Sequence, residues 1–362
     1  MKYVIIGGGV AAVEAAIAIR KNAADAEITL CSAEASYPYR RPFLSKGLQK
    51  GFDGDAFLQK SAEFYQRENI TVRLGSVAEK IEPENKKVFF ADGSSLDYDK
   101  LLLAVGAKAC RLPVPGNDLP FVMTLRELAD AERIREILAA GVKHAMIVGG
   151  GVLGLELAEV LLEAGCGKVT IMECASALLA KNLDPATSCQ LQEHLKNIPN
   201  LELHLGEMLR VITAETADLV IMSTGAKPEI ALAQNSGISC GRGIITDFNM
   251  RTDAADIFAA GDCAETGDCI TGIYTTASEM GKAAGCNMAG VETLFAPPPA
   301  SMRFMGFGLK LFSCGCFDGD MEEFCDNGNV KRLFYKDGKL IGAVLWGDMR
   351  ESMKLLAAVA GA

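Results

Sequence analysis

Short unbroken apolar runs alternate with longer stretches in which apolar positions recur every three or four residues, the signature of strands alternating with helices. Residues 3–6 (Tyr-Val-Ile-Ile) predict a buried strand, and an alanine-rich amphipathic helix follows to about residue 22, then a second strand at 27–31. The order returns at 145–148 (strand), 152–164 (helix) and 169–172 (strand), with Gly165 as the stop signal behind the helix. A further segment is also duplicated. Asp99-Lys-Leu-Leu-Leu-Ala-Val-Gly106-Ala-Lys and Asp218-Leu-Val-Ile-Met-Ser-Thr-Gly225-Ala-Lys share an acid, an apolar strand and Gly-Ala-Lys at one spacing. The same parts twice in the same order predict two homologous domains. Ahead of Asp99, runs at 87–90 and 96–98 flank Asp92-Gly93 and predict a hairpin. Residues 252–262 predict a short strand ending in Gly261-Asp262. Beyond the linker Ala296-Pro297-Pro298-Pro299-Ala300, strands at 331–335 and 340–346 surround Asp337-Gly338, and 351–359 reads as a helix.

Composition narrows the class. The chain has 362 residues, 49% hydrophobic and 23% charged, which predicts two or three globular domains. A net charge of −10 disfavours nucleic acid or an anionic membrane surface as the main partner. No apolar run reaches the length of a membrane span; the best, 145–155, carries four glycines and stops at Glu156. The N-terminus lacks the apolar core and cleavage pattern of a secretory signal, so the expected location is cytoplasmic. Twelve cysteines are then expected to be mostly reduced, and none makes a Cys-x-x-Cys pair.

The glycines carry the chemistry. In Gly7-Gly8-Gly9-Val10-Ala11-Ala12, Gly7 and Gly9 permit a tight turn and close approach to a pyrophosphate, with Ala11 and Ala12 opening the helix whose N-terminus faces the phosphates. Ala12 stands where the fingerprint has its third glycine, a substitution it tolerates. Gly149-Gly150-Gly151-Val152-Leu153-Gly154 carries all three, at Gly149, Gly151 and Gly154. Glu173, at the end of the following strand, is placed to hydrogen-bond a ribose 2′-hydroxyl and to repel a 2′-phosphate, which favours NADH over NADPH. In the first copy the corresponding position is Ser32, with Glu34 close by, so either serves the ribose. The architecture expected is α/β, with two Rossmann-like dinucleotide-binding domains and a short C-terminal α+β domain.

With Gly261-Asp262 in place after the second fold, the chain resembles the FAD-dependent pyridine nucleotide-disulfide oxidoreductases over about residues 1–290, a glutathione-reductase-like arrangement. The resemblance implies that residues 1–112 and 240–296 bind FAD, 113–239 bind NADH, and 297–362 form the small third domain. It implies that Asp262 and Gly261 meet the flavin cofactor, and that a helix beginning near Thr275 and Thr276 points its N-terminus at the flavin. The loop Tyr37-Pro38-Tyr39-Arg40-Arg41-Pro42-Phe43-Leu44-Ser45-Lys46 holds no cysteine, unlike the corresponding region of disulfide-reducing relatives. It is similar to the loop of rubredoxin and ferredoxin reductases and of the nitrite-reductase flavin module. That similarity implies FAD contacts from Arg41 and Pro42, with Lys46 near the isoalloxazine and Glu156 facing the nicotinamide and pairing with Lys46. Val77, Ala104, Gly106, Arg126 and Gly225 are further cofactor contacts by the same resemblance.

The expected activity is NADH oxidation through flavin, with delivery of electrons to a small iron redox protein such as rubredoxin or ferredoxin. Arg40, Lys50, Arg303 and Lys310 would meet an acidic acceptor. An NADH oxidase or thiol/persulfide reductase is the second reading, and a non-catalytic nucleotide-sensing flavoprotein the third. No metal site is expected. His144, His194 and His204 lack ligand spacing, and Cys314, Cys316 and Cys325 lack a fourth ligand. Cys263 is expected to be a small buried side chain.

Overall fold

The computed structural model describes residues 1–52, 54, 56–267, 269–270 and 272–361. The chain divides into two compact units. One comprises Met1–Phe43, Phe52–Lys108 and Ala226–Pro297; the other comprises Leu44–Gly51, Ala109–Gly225 and Pro298–Ala362.

The first unit is built on a five-stranded parallel sheet in the order Ile257–Ala259, Lys100–Leu103, Lys2–Ile6, Glu27–Cys31, Ile70–Arg73. These strands are nearly continuous apolar runs because helices cover the faces of a parallel sheet. Tyr3 lies opposite Ile28 on one side and Lys100 on the other. The strand expected over 252–262 is confined to Ile257–Ala259. Asp256 has φ +61, and the Thr252 hydroxyl donates to the Ile257 carbonyl at 2.9 Å, so 252–256 is a side-chain-tied loop. The hairpin is present as Lys87–Phe90 and Ser95–Asp97, extended to three strands by Ala78–Glu82.

Helix Val10–Asn22 packs along helix Tyr274–Met288 through small residues. A Cβ on Gly281 would sit 2.2 Å from the Ala11 carbonyl oxygen, and one on Gly285 would sit 2.4 Å from that of Ala15. Glycine there lets the two backbones approach closely.

The second unit contains a matching parallel sheet ordered Leu201–Leu205, Lys168–Glu173, His144–Val148, Leu219–Met222, Val122–Met123. Its fifth strand precedes the fold in sequence, whereas the first unit must wait for Ile257–Ala259. The repeated acid has one job in both. Asp99 accepts the Lys2 N–H at 2.6 Å, while Asp218 accepts those of Lys143 and His144 at 2.8 and 2.9 Å. Each carboxylate ties the start of its sheet's central strand, and those N–H donors hold the Asp218 carboxyl below the usual range.

Residues 298–361 form a five-stranded antiparallel sheet, ordered Ser301–Gly306, Leu309–Gly315, Lys339–Trp346, Asn329–Lys336, Asp320–Asp326, backed by helix Ser352–Ala360. Sequence periodicity yielded two of these strands. Asp320–Asp326 is exposed along its whole length and acidic, so no buried face imprints an alternation on it. No helix among the described residues is long and apolar enough to cross a membrane.

Candidate functional site

Two glycine-rich turns dominate, one in each unit. In the first, Gly7 has φ +135, and a Cβ there would lie 2.0 Å from the Ala104 carbonyl oxygen. No side chain fits. Gly8 faces Ser32, whose Oγ would stand 2.5 Å from an added Cβ. Gly9 meets nothing within 4 Å and leads into helix Val10–Asn22, whose N-terminus no side chain caps. Ala11 and Ala12 are buried; Ala11 fills the space beside Gly261 and Gly281.

Ser32 and Glu34 take different parts. Ser32 is buried, its backbone N–H bonded to Arg73 and its hydroxyl accepting the Glu34 N–H at 3.2 Å. Glu34 is half-buried and gathers a cluster: Tyr39 donates its hydroxyl at 2.6 Å, and Arg41 pairs with the other carboxylate oxygen at 2.6 Å. Arg41 also donates to the Tyr39 hydroxyl and lies over its ring. The loop's Tyr-x-Arg spacing thus serves a carboxylate five and seven residues upstream. Tyr39 had no assigned role from sequence, although its spacing from Arg41 was available as a signal.

Gly261 has φ +80 and ends the strand Ile257–Ala259, followed by half-buried Asp262 and fully buried Cys263. Burial pushes the Cys263 thiol up to about 11. Thr276 is buried and Thr275 exposed in the first turn of helix Tyr274–Met288, which has no side-chain cap. Gly106 has φ +75, and its carbonyl accepts the Glu229 N–H at 2.9 Å. Val77 and Pro42 are exposed.

In the second unit, Gly149 has φ +118, and a Cβ there would lie 2.3 Å from the Ser223 carbonyl oxygen. One on Gly154 would lie 2.1 Å from the Gly149 carbonyl oxygen, whereas Gly151 is open. Glu173 accepts N–H groups from Gly150 and Ala175, both at 2.7 Å. Burial alone would raise its carboxyl, but these bonds outweigh burial and hold it low. Gly225 has φ +94 and accepts the Cys110 N–H at 2.9 Å. The Arg126 N–H donates to Asp130 at 2.8 Å ahead of helix Leu128–Ala139.

The same unit holds Lys46 and Glu156 on two helices that pack together. Helix Leu44–Lys50 packs against helix Val152–Glu163, and Ser45, buried in the first, donates its hydroxyl to Glu156 at 3.1 Å. Burial raises the Glu156 carboxyl above its ordinary range, and the Ser45 bond and Lys46 charge only partly offset it. Lys46 is exposed. Sequence gave no role to Ser45, because its partner is 111 positions away.

Both turns fit a dinucleotide pyrophosphate. Glycine is forced where backbone crowds backbone, and open at Gly9 and Gly151, each directly before an uncapped helix N-terminus. Among the described residues, no group of three or more His, Cys, Asp or Glu side chains is arranged to hold a metal ion.

Comparison with known proteins gives the family. The sequence profile of the pyridine nucleotide-disulphide oxidoreductases matches residues 1–284, and that of the rubredoxin NAD+ reductase C-terminal domain matches residues 301–361. The chain is 31% identical to the NAD(P)H nitrite reductase of Bacillus subtilis, over 99% of its own length and 47% of that protein. It is 29% identical to the NADH-rubredoxin oxidoreductase of Clostridium acetobutylicum, over 99% of this chain and 94% of the other. The crystal structure of NADH:rubredoxin oxidoreductase from that organism has a TM-score of 0.86 at 27% identity, covering 100% of this chain and 95% of that one. The chain spans about half the length of the first curated relatives it matches.

Proposed function

This chain belongs to the pyridine nucleotide-disulphide oxidoreductase family, and on that premise we propose that it is an NADH-dependent flavoprotein reductase delivering electrons to a small iron redox protein such as rubredoxin or ferredoxin. The cofactors are FAD, on residues 1–112 and 240–296, and NADH, on residues 113–239; residues 297–362 complete the chain as a small domain. The duplicated glycine turn carries the reading. Each copy has a glycine that no other residue can replace and a glycine open to a ligand; Glu173 is held against the second turn, and Ser32 faces the first.

Bound FAD supplies acceptance of two electrons and their release one at a time, the exchange that links a hydride donor to an iron centre. The protein's part is to bind and to place charge. Gly7, Gly9 and the start of helix Val10–Asn22 hold the FAD pyrophosphate, while Glu34, fixed by Tyr39 and Arg41, serves the adenosine ribose in preference to the buried Ser32. Asp262, Arg126, Pro42, Val77, Ala104, Gly106 and the first turn at Thr275 and Thr276 are the remaining FAD contacts. Gly149, Gly151, Gly154, Gly225 and Glu173 hold NADH, with Glu173 disfavouring a 2′-phosphate. Lys46 offers a positive charge where negative charge develops, and ionised Glu156 keeps the Lys46 ammonium oriented.

A thiol relay is disfavoured because the 37–46 loop has no cysteine and Cys263 is buried with its thiol pushed up to about 11. The reading also places the protein in the cytoplasm, where twelve cysteines stay reduced. Steady-state NADH oxidation against rubredoxin, ferredoxin, oxygen and a disulfide tests the proposal, with flavin bleaching followed in parallel. An iron protein is expected to be the fastest acceptor. Preference for oxygen or the disulfide overturns the acceptor assignment, and failure of NADH to bleach the flavin overturns the enzyme.

A further inference from the structure

Helix Val152–Glu163 carries two carboxylates one turn apart, Glu156 and Glu159, both half-buried. Glu156 is held by Ser45 from helix Leu44–Lys50. Glu159 is held by another element, the hairpin joining Ser301–Gly306 to Leu309–Gly315. Its Oε1 accepts the backbone N–H of Phe307, and its Oε2 lies where a Cβ on Gly306 would be only 2.8 Å away. The turn itself is left-handed, with φ +53 at Phe307 and +73 at Gly308. Its remaining exposed group is gripped too: His194 Nε2 donates to the Phe307 carbonyl at 2.9 Å. The tip of the C-terminal sheet is therefore fastened at both backbone groups by side chains of the dinucleotide fold.

We propose that the Phe307–Gly308 turn fixes Glu159 as a stationary negative charge that adds to the proton affinity of Glu156, so that Glu159 is a positioning residue for the site. An untethered glutamate on a helix surface swings away from a like charge, but one pinned to a turn cannot. The groups acting on Glu156 are few. Lys46 and the Ser45 hydroxyl, from helix Leu44–Lys50, favour its ionised form; burial and Glu159 favour its protonated form. On strand Ser301–Gly306 the charged group is Arg303, whose guanidinium is engaged with the Ser352 hydroxyl at 3.0 Å.

The inference rests on the reading that ionised Glu156 assists the reaction with NADH, and the test separates the two. On that reading, the rate of flavin reduction by NADH falls as pH drops through the Glu156 titration. Glu159→Gln keeps an acceptor for the Phe307 N–H and removes the charge. It should move this acid limb down by about 0.3 pH unit, the size of a like-charge pair one turn apart. Carbon-13 NMR titration of the Glu156 carboxyl in the oxidised holoenzyme, assigned with Glu156→Gln, should shift by the same amount. Glu159→Asp keeps the charge but cannot reach the turn, and should give part of that shift. A Glu156 titration unmoved in Glu159→Gln overturns the inference, and one unmoved in Glu159→Asp alone overturns the part played by the turn. An acid limb that survives in Glu156→Gln overturns the reading of Glu156 instead, and the NMR titration then still decides the coupling.

Discussion

Glu173 is poised by what it already holds. Its two oxygens accept the Gly150 and Ala175 N–H groups, and the Cys174 thiol lies 3.3 Å away, so the carboxylate is fixed in place and its ionised form favoured. In the role proposed for it, this carboxylate need not be ordered by the ribose first, which is where preorganised sites gain affinity. Glu173→Ala should raise KM for NADH about tenfold, the cost of one hydrogen bond to a charged group. kcat should change far less, and discrimination against NADPH should shrink. Steady-state kinetics with both nucleotides checks this; an unchanged NADH/NADPH ratio would remove Glu173 from the specificity argument. Cys263 illustrates the opposite case. It follows the Gly-Asp pair and, as expected from sequence, is a small buried packing residue, bonded to the Leu103 and Ala260 carbonyls at 3.4 Å.

Helices Val10–Asn22 and Tyr274–Met288 cross where glycine and alanine alternate along their contact. Gly281→Ala gains helix propensity of about 1 kcal/mol. It also drives a methyl group into the Ala11 backbone, which cannot rotate aside. Overpacking of about 1–3 kcal/mol should win, lowering Tm in a thermal melt. A variant as stable as the parent would show that the helix pair tolerates separation. These elements were legible from sequence because each obeys a local rule. Residues 27–31 and 87–90 are apolar runs between turn signals, and the starts at Val10 and Val152 follow glycine turns. What escaped depends on partners far away in the chain. Asp99 and Asp218 were visible as repeats, but their grip on Lys2 and His144 becomes apparent only when strands lie side by side. Strand Asp320–Asp326 was missed because it is exposed and acidic, with no buried face to imprint a period of two. Ser45, Tyr39 and Glu159 owe their importance to particular contacts, and composition cannot reveal them.

Over the whole molecule the net charge is −10, so an acidic electron acceptor is repelled at long range and must be received by local cations. Arg40, Lys50, Arg303 and Lys310 are the proposed ones; Lys50, Arg303 and Lys310 are exposed. Charge reversal at these positions should slow reduction of the iron protein severalfold at low ionic strength and leave NADH–dye activity intact. Stopped-flow rates across a salt series would read this out, and acceptor kinetics indifferent to both reversal and salt would place docking elsewhere.

Chain order has a consequence for synthesis. The sheet that starts at Lys2–Ile6 lacks its outer strand until Ile257–Ala259 emerges, and helix Val10–Asn22 lacks its companion until Tyr274–Met288. The intervening sheet needs nothing later than Leu219–Met222. At about 5–20 residues per second, the half begun first waits through the synthesis of the intervening sheet with alanine-lined helix surface uncovered, while its younger sibling closes ahead of it. The core begun first is thus the core finished last, and its alanine-lined helix face is the surface left waiting for a partner.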